Sequence, residues 1–115
     1  MTIDLTKVRV YIRPGSTDMR KQINGLSILV EQEMELNPFT GSLFLFSNRR
    51  HDRMKILYWD KNGFCLWLKR LEKDRFPWPA SSEAAREISP EKLTMLLAGI
   101  DFFHAHERLD YSELS

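Results

Sequence analysis

A chain of 115 residues, 43% hydrophobic and 11% aromatic, is long enough for one hydrophobic core and too short for two. Its formal net charge of +1 and single cysteine exclude a strongly basic nucleic-acid coat, an intrachain disulfide and a cysteine zinc cluster. No apolar run approaches the roughly 20 residues of a membrane span and residues 1–7 lack the features of a secretory signal, so a soluble, cytoplasmic protein is expected.

The first element is a strand, because Val8, Val10 and Ile12 alternate with Arg9, Tyr11 and Arg13 and period two buries one face. Pro14-Gly15-Ser16 breaks it, and Thr17 or Asp18 can cap a following helix. Met19, Ile23, Leu26, Val30 and Met34 form one apolar stripe, predicting a helix over residues 19–35 that ends before Asn37-Pro38. Gly25 inside it costs about 1 kcal/mol relative to alanine and marks a close approach. Residues 43–46 read as a short buried strand, followed by a basic turn over residues 47–53.

Asn62-Gly63 lies between two β-rich runs and suits a two-residue hairpin turn. With that loop, facing positions sum to 125: Trp59 with Leu66, Leu57 with Leu68, Tyr58 with Trp67, and Lys55 with Arg70, a like-charge pair that a phosphate, an acidic side chain or open solvent relieves. Phe76-Pro77-Trp78-Pro79 is an edge or an extended crossing segment, since proline donates nothing to a ladder. Residues 80–87 read as a polar loop. Ser89 caps a second helix with Pro90 at its first position, Leu93, Leu96 and Leu97 supply its buried stripe, and Gly99 stops it. The expected fold is α+β: a small, mostly antiparallel sheet with a central hairpin, packed by two helices. Residues 1–101 form one domain and residues 102–115 a loosely held tail.

Catalytic patterns are missing. The five glycines are scattered, so no phosphate-binding glycine loop is present. His51, His104 and His106 give no metal-ligand spacing, and Cys65 sits within a strand as a small hydrophobe. Asp18, Asp52, Asp60 and Asp101 each have a capping, turn or ion-pair explanation. The sequence therefore points to a non-enzyme without cofactor or metal. What it does carry is uneven charge: residues 7–75 hold fourteen Lys/Arg against eight Asp/Glu, while residues 76–115 hold three against seven. Cations interleaved with aromatics neutralise phosphates and stack on bases. Arg49, Arg50, Arg53, Lys55, Lys69 and Arg70 are the candidate DNA contacts, with Arg20 and Lys21 secondary; Arg9, Tyr11, Arg13, Lys73 and Arg75 extend the basic region. The same pattern also suits ordinary solvated faces, and Tyr58 and Trp67 also suit sheet packing.

Thr17-Asp18-Met19-Arg20-Lys21 with Gly25-Leu26, then Asn37-Pro38-Phe39, Gly41, Leu43-Phe44 and Phe46, form two ordered blocks. Asn48-Arg49-Arg50, Asp52-Arg53, Lys55-Ile56-Leu57-Tyr58-Trp59-Asp60 and Gly63 form the most distinctive third, continuing through Lys69-Arg70-Leu71-Glu72, Phe76 and Trp78-Pro79. Leu93, Leu96-Leu97 and Gly99-Ile100-Asp101 close the series. Together, over residues 8–101, they resemble the second-reading-frame accessory proteins, called TnpB, of the insertion-sequence family numbered sixty-six. The resemblance implies a helper encoded beside a larger transposase that carries the catalytic carboxylates, and it supplies no catalytic residues here. The implied partners are DNA at the element's ends and the transposase. The alternative is an adapter that engages the transposase without touching DNA.

Overall fold

The computed structural model describes residues 7–80 and 86–100. In chain order these form β1 (Val10–Ile12), α1 (Ile23–Gln32), β2 (Leu43–Ser47), β3 (Arg53–Asp60), β4 (Gly63–Arg70), β5 (Arg86–Ile88) and α2 (Pro90–Leu97). One sheet holds all five strands in the order β4-β3-β2-β1-β5. Only β1 and β2 run parallel, and parallel neighbours need a long crossover, which α1 supplies. The α+β fold read from the sequence is the one observed.

Alternation along the strands divides the core in two. Val10, Ile12, Leu43, Leu45, Met54 and Ile56 project to one face, where Leu93 and Leu96 of α2 and the rings of Phe76 and Trp78 cover them. Phe44, Phe46 and Leu57 project to the other, beneath Leu26, Leu29 and Val30 of α1. β2 is therefore buried along its whole length, as a central strand covered on both faces must be. Each such side chain contributes roughly 1.5–3 kcal/mol on leaving water, so the two layers hold the sheet from both sides. No described helix is long and apolar enough to cross a membrane.

Several expectations are corrected. α1 starts at Ile23, not Met19, and its N-cap is Gln22 with no side-chain cap. The Asp18 carboxylate instead accepts the Arg20 N–H at 2.9 Å, and Lys21 N–H donates to the Asp18 carbonyl at 3.1 Å, closing a separate turn before the helix. α1 ends at Gln32 with Glu33 as its C-cap, and Met34 N–H reaches the Leu29 carbonyl at 3.0 Å, a six-to-one closure, before Glu35 takes a φ of 57°. At Gly25 a Cβ would lie 3.3 Å from Lys21 Cβ and Cγ, so the close approach inferred from this glycine is with the Lys21 stem.

The hairpin turn is Lys61-Asn62, one residue before the expected loop. Asp60 pairs with Gly63, Trp59 with Phe64, Tyr58 with Cys65 and Leu57 with Leu66. Both registers keep every side chain on the same face, so alternation cannot separate them. The observed one brings Trp59 and Phe64 together at 5.0 Å, edge to face, with Phe39 at 5.2 Å from each. It also sets Lys55 opposite Leu68, and the like-charge pair becomes Arg53 with Arg70.

The expected loop over residues 80–87 contains the start of β5, which pairs Val10 with Ile88 and Tyr11 with Glu87; three residues are too few to show a period. The Pro77-Pro79 segment forms no strand, and Phe76 and Trp78 beside its prolines are buried. Ser89 Oγ accepts the Lys92 N–H at 3.2 Å, Pro90 opens α2, and Gly99 takes a φ of 81°. The expected tail lies outside the described residues, as do His104 and His106.

Candidate nucleic-acid interface

The β2–β3 connection is built by its polar residues. Asn48 Oδ1 accepts the N–H groups of Asp52 and Arg53, each at 3.1 Å, and Asn48 Nδ2 donates to the Asp52 carboxylate at 2.6 Å. Ser47 Oγ donates to the Arg53 carbonyl at 2.9 Å. His51 sits at a φ of 58°, its ring stacked on Trp78 at 6.0 Å and its Nδ1 3.2 Å from Ser47 Oγ. Outside segments pin the turn further: Phe76 N–H donates to the His51 carbonyl, Leu71 N–H to the Asp52 carbonyl and Thr17 N–H to the Ser47 carbonyl, each at 2.7 Å. Asn48, His51 and Asp52 thus fix the loop, and Arg49 and Arg50 are the positions it leaves exposed.

Around this turn the topology gathers cations at one end of the sheet. Arg53 opens β3 and Arg70 closes β4, directly opposite one another on the α1 face, and both are exposed. Like charges at facing positions repel. Glu72 relieves Arg70, with its Oε1 2.9 Å from Arg70 Nη2, whereas Arg49, Arg50 and Arg53 form no salt bridge among the described residues. Arg20 and Lys21 lie on the same face, exposed, in the turn before α1; the Arg20 guanidinium lies 2.8 Å from the Asp18 carboxylate. That contact holds the Asp18 carboxyl at about 2. Asp52 is also held below its usual value, first by the Asn48 amide and then by Arg50 and Arg53.

Two of the predicted contacts face inward. Lys55 is only 5% exposed and its ammonium donates to the carbonyls of Met19 at 2.9 Å and Lys21 at 2.8 Å; burial pulls its pKa below the ordinary lysine value. Lys69, on the opposite face, donates to the Leu97 carbonyl at 3.2 Å, at the end of α2. A cation there complements the unpaired carbonyls of a helix C-terminus. The strand-one cations are likewise engaged: Arg9 lies 3.6 Å from Glu87, and Arg13 contacts Thr17, the Ser16 carbonyl and Glu33. Tyr11 stacks on Phe44. Arg75, exposed and close enough to act electrostatically on His51, joins the basic end. Among the described residues, no three His, Cys, Asp or Glu side chains come together as a metal site.

The motif that builds this turn, Asn48 through Arg53, lies inside a match to the sequence profile of the IS66 Orf2-like proteins, which covers residues 8–107. The chain belongs to this family. Two uncharacterized proteins of Sinorhizobium fredii are similar to it. One, y4hO, is 43% identical over 100 residues, covering 87% of each chain. The other, y4jC, is 35% identical over 95 residues, covering 83% of this chain and 81% of its own. No solved structure matches. Membership gives the Orf2-like chain an accessory role in transposition, in a family not known as enzymes.

Proposed function

We propose that this Orf2-like protein holds DNA by its phosphate backbone at the basic end of the sheet, positioning an element end for the transposase. The observation that carries the reading is the juxtaposition of Arg53 and Arg70 across β3 and β4, beside a rigid turn that presents Arg49 and Arg50 outward. Exposed guanidinium groups whose backbone positions are fixed by a ladder and a rigid turn are suited to phosphate oxygens, whose contacts set register without reading sequence. Arg20, Lys21 and Arg75 widen the surface. Lys55 and Lys69 serve it from within, holding the segment before α1 and the end of α2 against the hairpin.

Binding of purified protein to an element-end duplex and a scrambled duplex, across a salt series, tests this. Phosphate contact predicts a linear fall of log affinity with log salt, and a positioning role predicts tighter binding to the element end. Absence of binding at low salt overturns the reading.

One feature favours a second reading, an adapter that engages the transposase alone. Ile28, Phe39 and Leu68 are 50%, 52% and 55% exposed, and exposed apolar groups of this size suit protein contact. Co-purification with the transposase in the presence of nuclease, together with failure to bind DNA, would establish it.

A further inference from the structure

β4 ends the sheet, with no further strand paired to it among the described residues. Every second residue along it turns its backbone N–H and C=O away from β3. Natural sheets protect such edges by shortness, proline, bulges or charges placed within the strand. β5, at the other edge, is three residues long and carries Arg86 and Glu87. β4 is protected only at its last two positions, by Lys69 and Arg70. It runs eight residues, pairs with β3 in continuous register from Arg70 to Gly63, and has neither charge nor proline between Gly63 and Leu68. Leu68 is 55% exposed, and Phe64, Cys65, Leu66 and Trp67 are each half-buried, so both faces beside the open ladder are apolar.

The charges stand at the two ends of this edge. Lys61 lies at the hairpin turn, and Lys69, Arg70 and Lys73 at the far end; residues 60–75 carry five Lys/Arg against three Asp/Glu. This balance decides the occupant. A second copy would pair antiparallel across a two-fold axis normal to the sheet, which opposes residues of the same face. Centring that pairing on Cys65 opposes Lys61 with Lys69 but also Asp60 with Arg70, whereas centring it on Leu66 opposes Asp60 with Glu72 and centring it on Trp67 opposes Lys61 with Lys73 and Asp60 with Asp74, just beyond the strand ends. Every register brings two net-positive edges into contact.

We propose that β4 is the docking edge for an extended segment of a partner protein, apolar in its middle and acidic at both ends, which adds to the sheet as a sixth strand. The ladder supplies main-chain hydrogen bonds, the half-buried Phe64, Leu66 and Trp67 receive alternate side chains, and Lys61 and Lys73, exposed at the two ends, select for carboxylates. The inference does not depend on DNA binding.

The test uses the full chain without DNA and a synthetic peptide of alternating valine and threonine with two glutamates at each end, beside its lysine-ended counterpart. Amide hydrogen exchange is followed along β4. The expected result is slowing of alternate β4 amides by about tenfold or more with the glutamate peptide, and affinity at least about tenfold weaker for the lysine peptide. Leu68→Lys, on an exposed position, should abolish the slowing without moving the melting temperature. Absence of slowing, or equal slowing by both peptides, overturns the proposal. So does slow exchange of the same amides in the free protein, whether sedimentation then finds a dimer closing the edge or a monomer covering it.

Discussion

The buried ammonium of Lys55 donates to the main-chain carbonyl of Lys21 at 2.8 Å, joining β3 to the turn before α1 across 34 positions of sequence. With the Met19 carbonyl at 2.9 Å, it ties down the turn that leads into α1, whose own N-cap residue, Gln22, makes no side-chain cap. Lys55→Met preserves the stem and removes the donor, leaving two carbonyls unpaired. The expected loss is about 1–3 kcal/mol, seen as a melting temperature several degrees lower. An unchanged melting curve would show that water serves these carbonyls as well.

Arg49 and Arg50 take no part in holding their own turn, which rests on Asn48, His51 and Asp52. Replacing both with alanine should leave the melting temperature in place. DNA affinity should fall and the slope of log affinity against log salt should shrink by about two, one for each phosphate contact removed. A slope equal to that of the wild type would take the turn out of the binding surface.

Asp18 stays ionised throughout the neutral range, since Arg20 holds its carboxyl at about 2, and it neutralises a cation at the proposed interface. Asp18→Asn keeps an oxygen for the Arg20 N–H and frees the guanidinium. DNA should bind more tightly, with a salt slope steeper by up to about one. Weaker binding would place Asp18 itself, not Arg20, at the functional surface.

Burial, and then Arg75, depress the pKa of His51 below its ordinary value of 6.5. The unfolded chain therefore takes up this proton at higher pH than the folded one, so stability falls as pH drops through about 6.5 and levels off below the folded value. Melting temperature should decline as the pH is lowered from about 7 through about 6.5. His51→Asn, which tolerates the left-handed backbone at this position, should flatten part of that decline. Parallel curves for the two proteins would assign the acid sensitivity to other groups.

The elements with strong local signals were legible in the sequence. The Val10/Ile12 alternation and the Ser89-Pro90 start of α2 both appear as read. The hairpin was legible but its register was not, because slipping the turn by one residue leaves both faces intact. The ring contact of Trp59 with Phe64, against Phe39 from a separate segment, depends on tertiary structure. In the basic region, composition identified the cations without separating their roles. Arg53 and Lys55 look alike in the sequence and sit on the same face of β3, yet one lies at the open end of the strand and the other beneath the turn before α1. Nothing local announces that the carbonyls of Met19 and Lys21 need a donor from 34 or more positions away.

The strand order carries a consequence for how the molecule forms and comes apart. β2, β3 and β4 are consecutive in the chain and adjacent in the sheet, so they can assemble through short loop closures, as a meander. β1 joins only after the α1 crossover, and β5 is added from the far side of the chain, through three residues beside β1. Sub-global opening should therefore run inward from β5, releasing the chain's outer portions while the meander persists. The basic turn and the Arg53–Arg70 pair lie within that persistent unit, so this part of the surface proposed to hold DNA would be the first to form and the last to dissolve, with Arg20 and Lys21 joining it only when α1 docks.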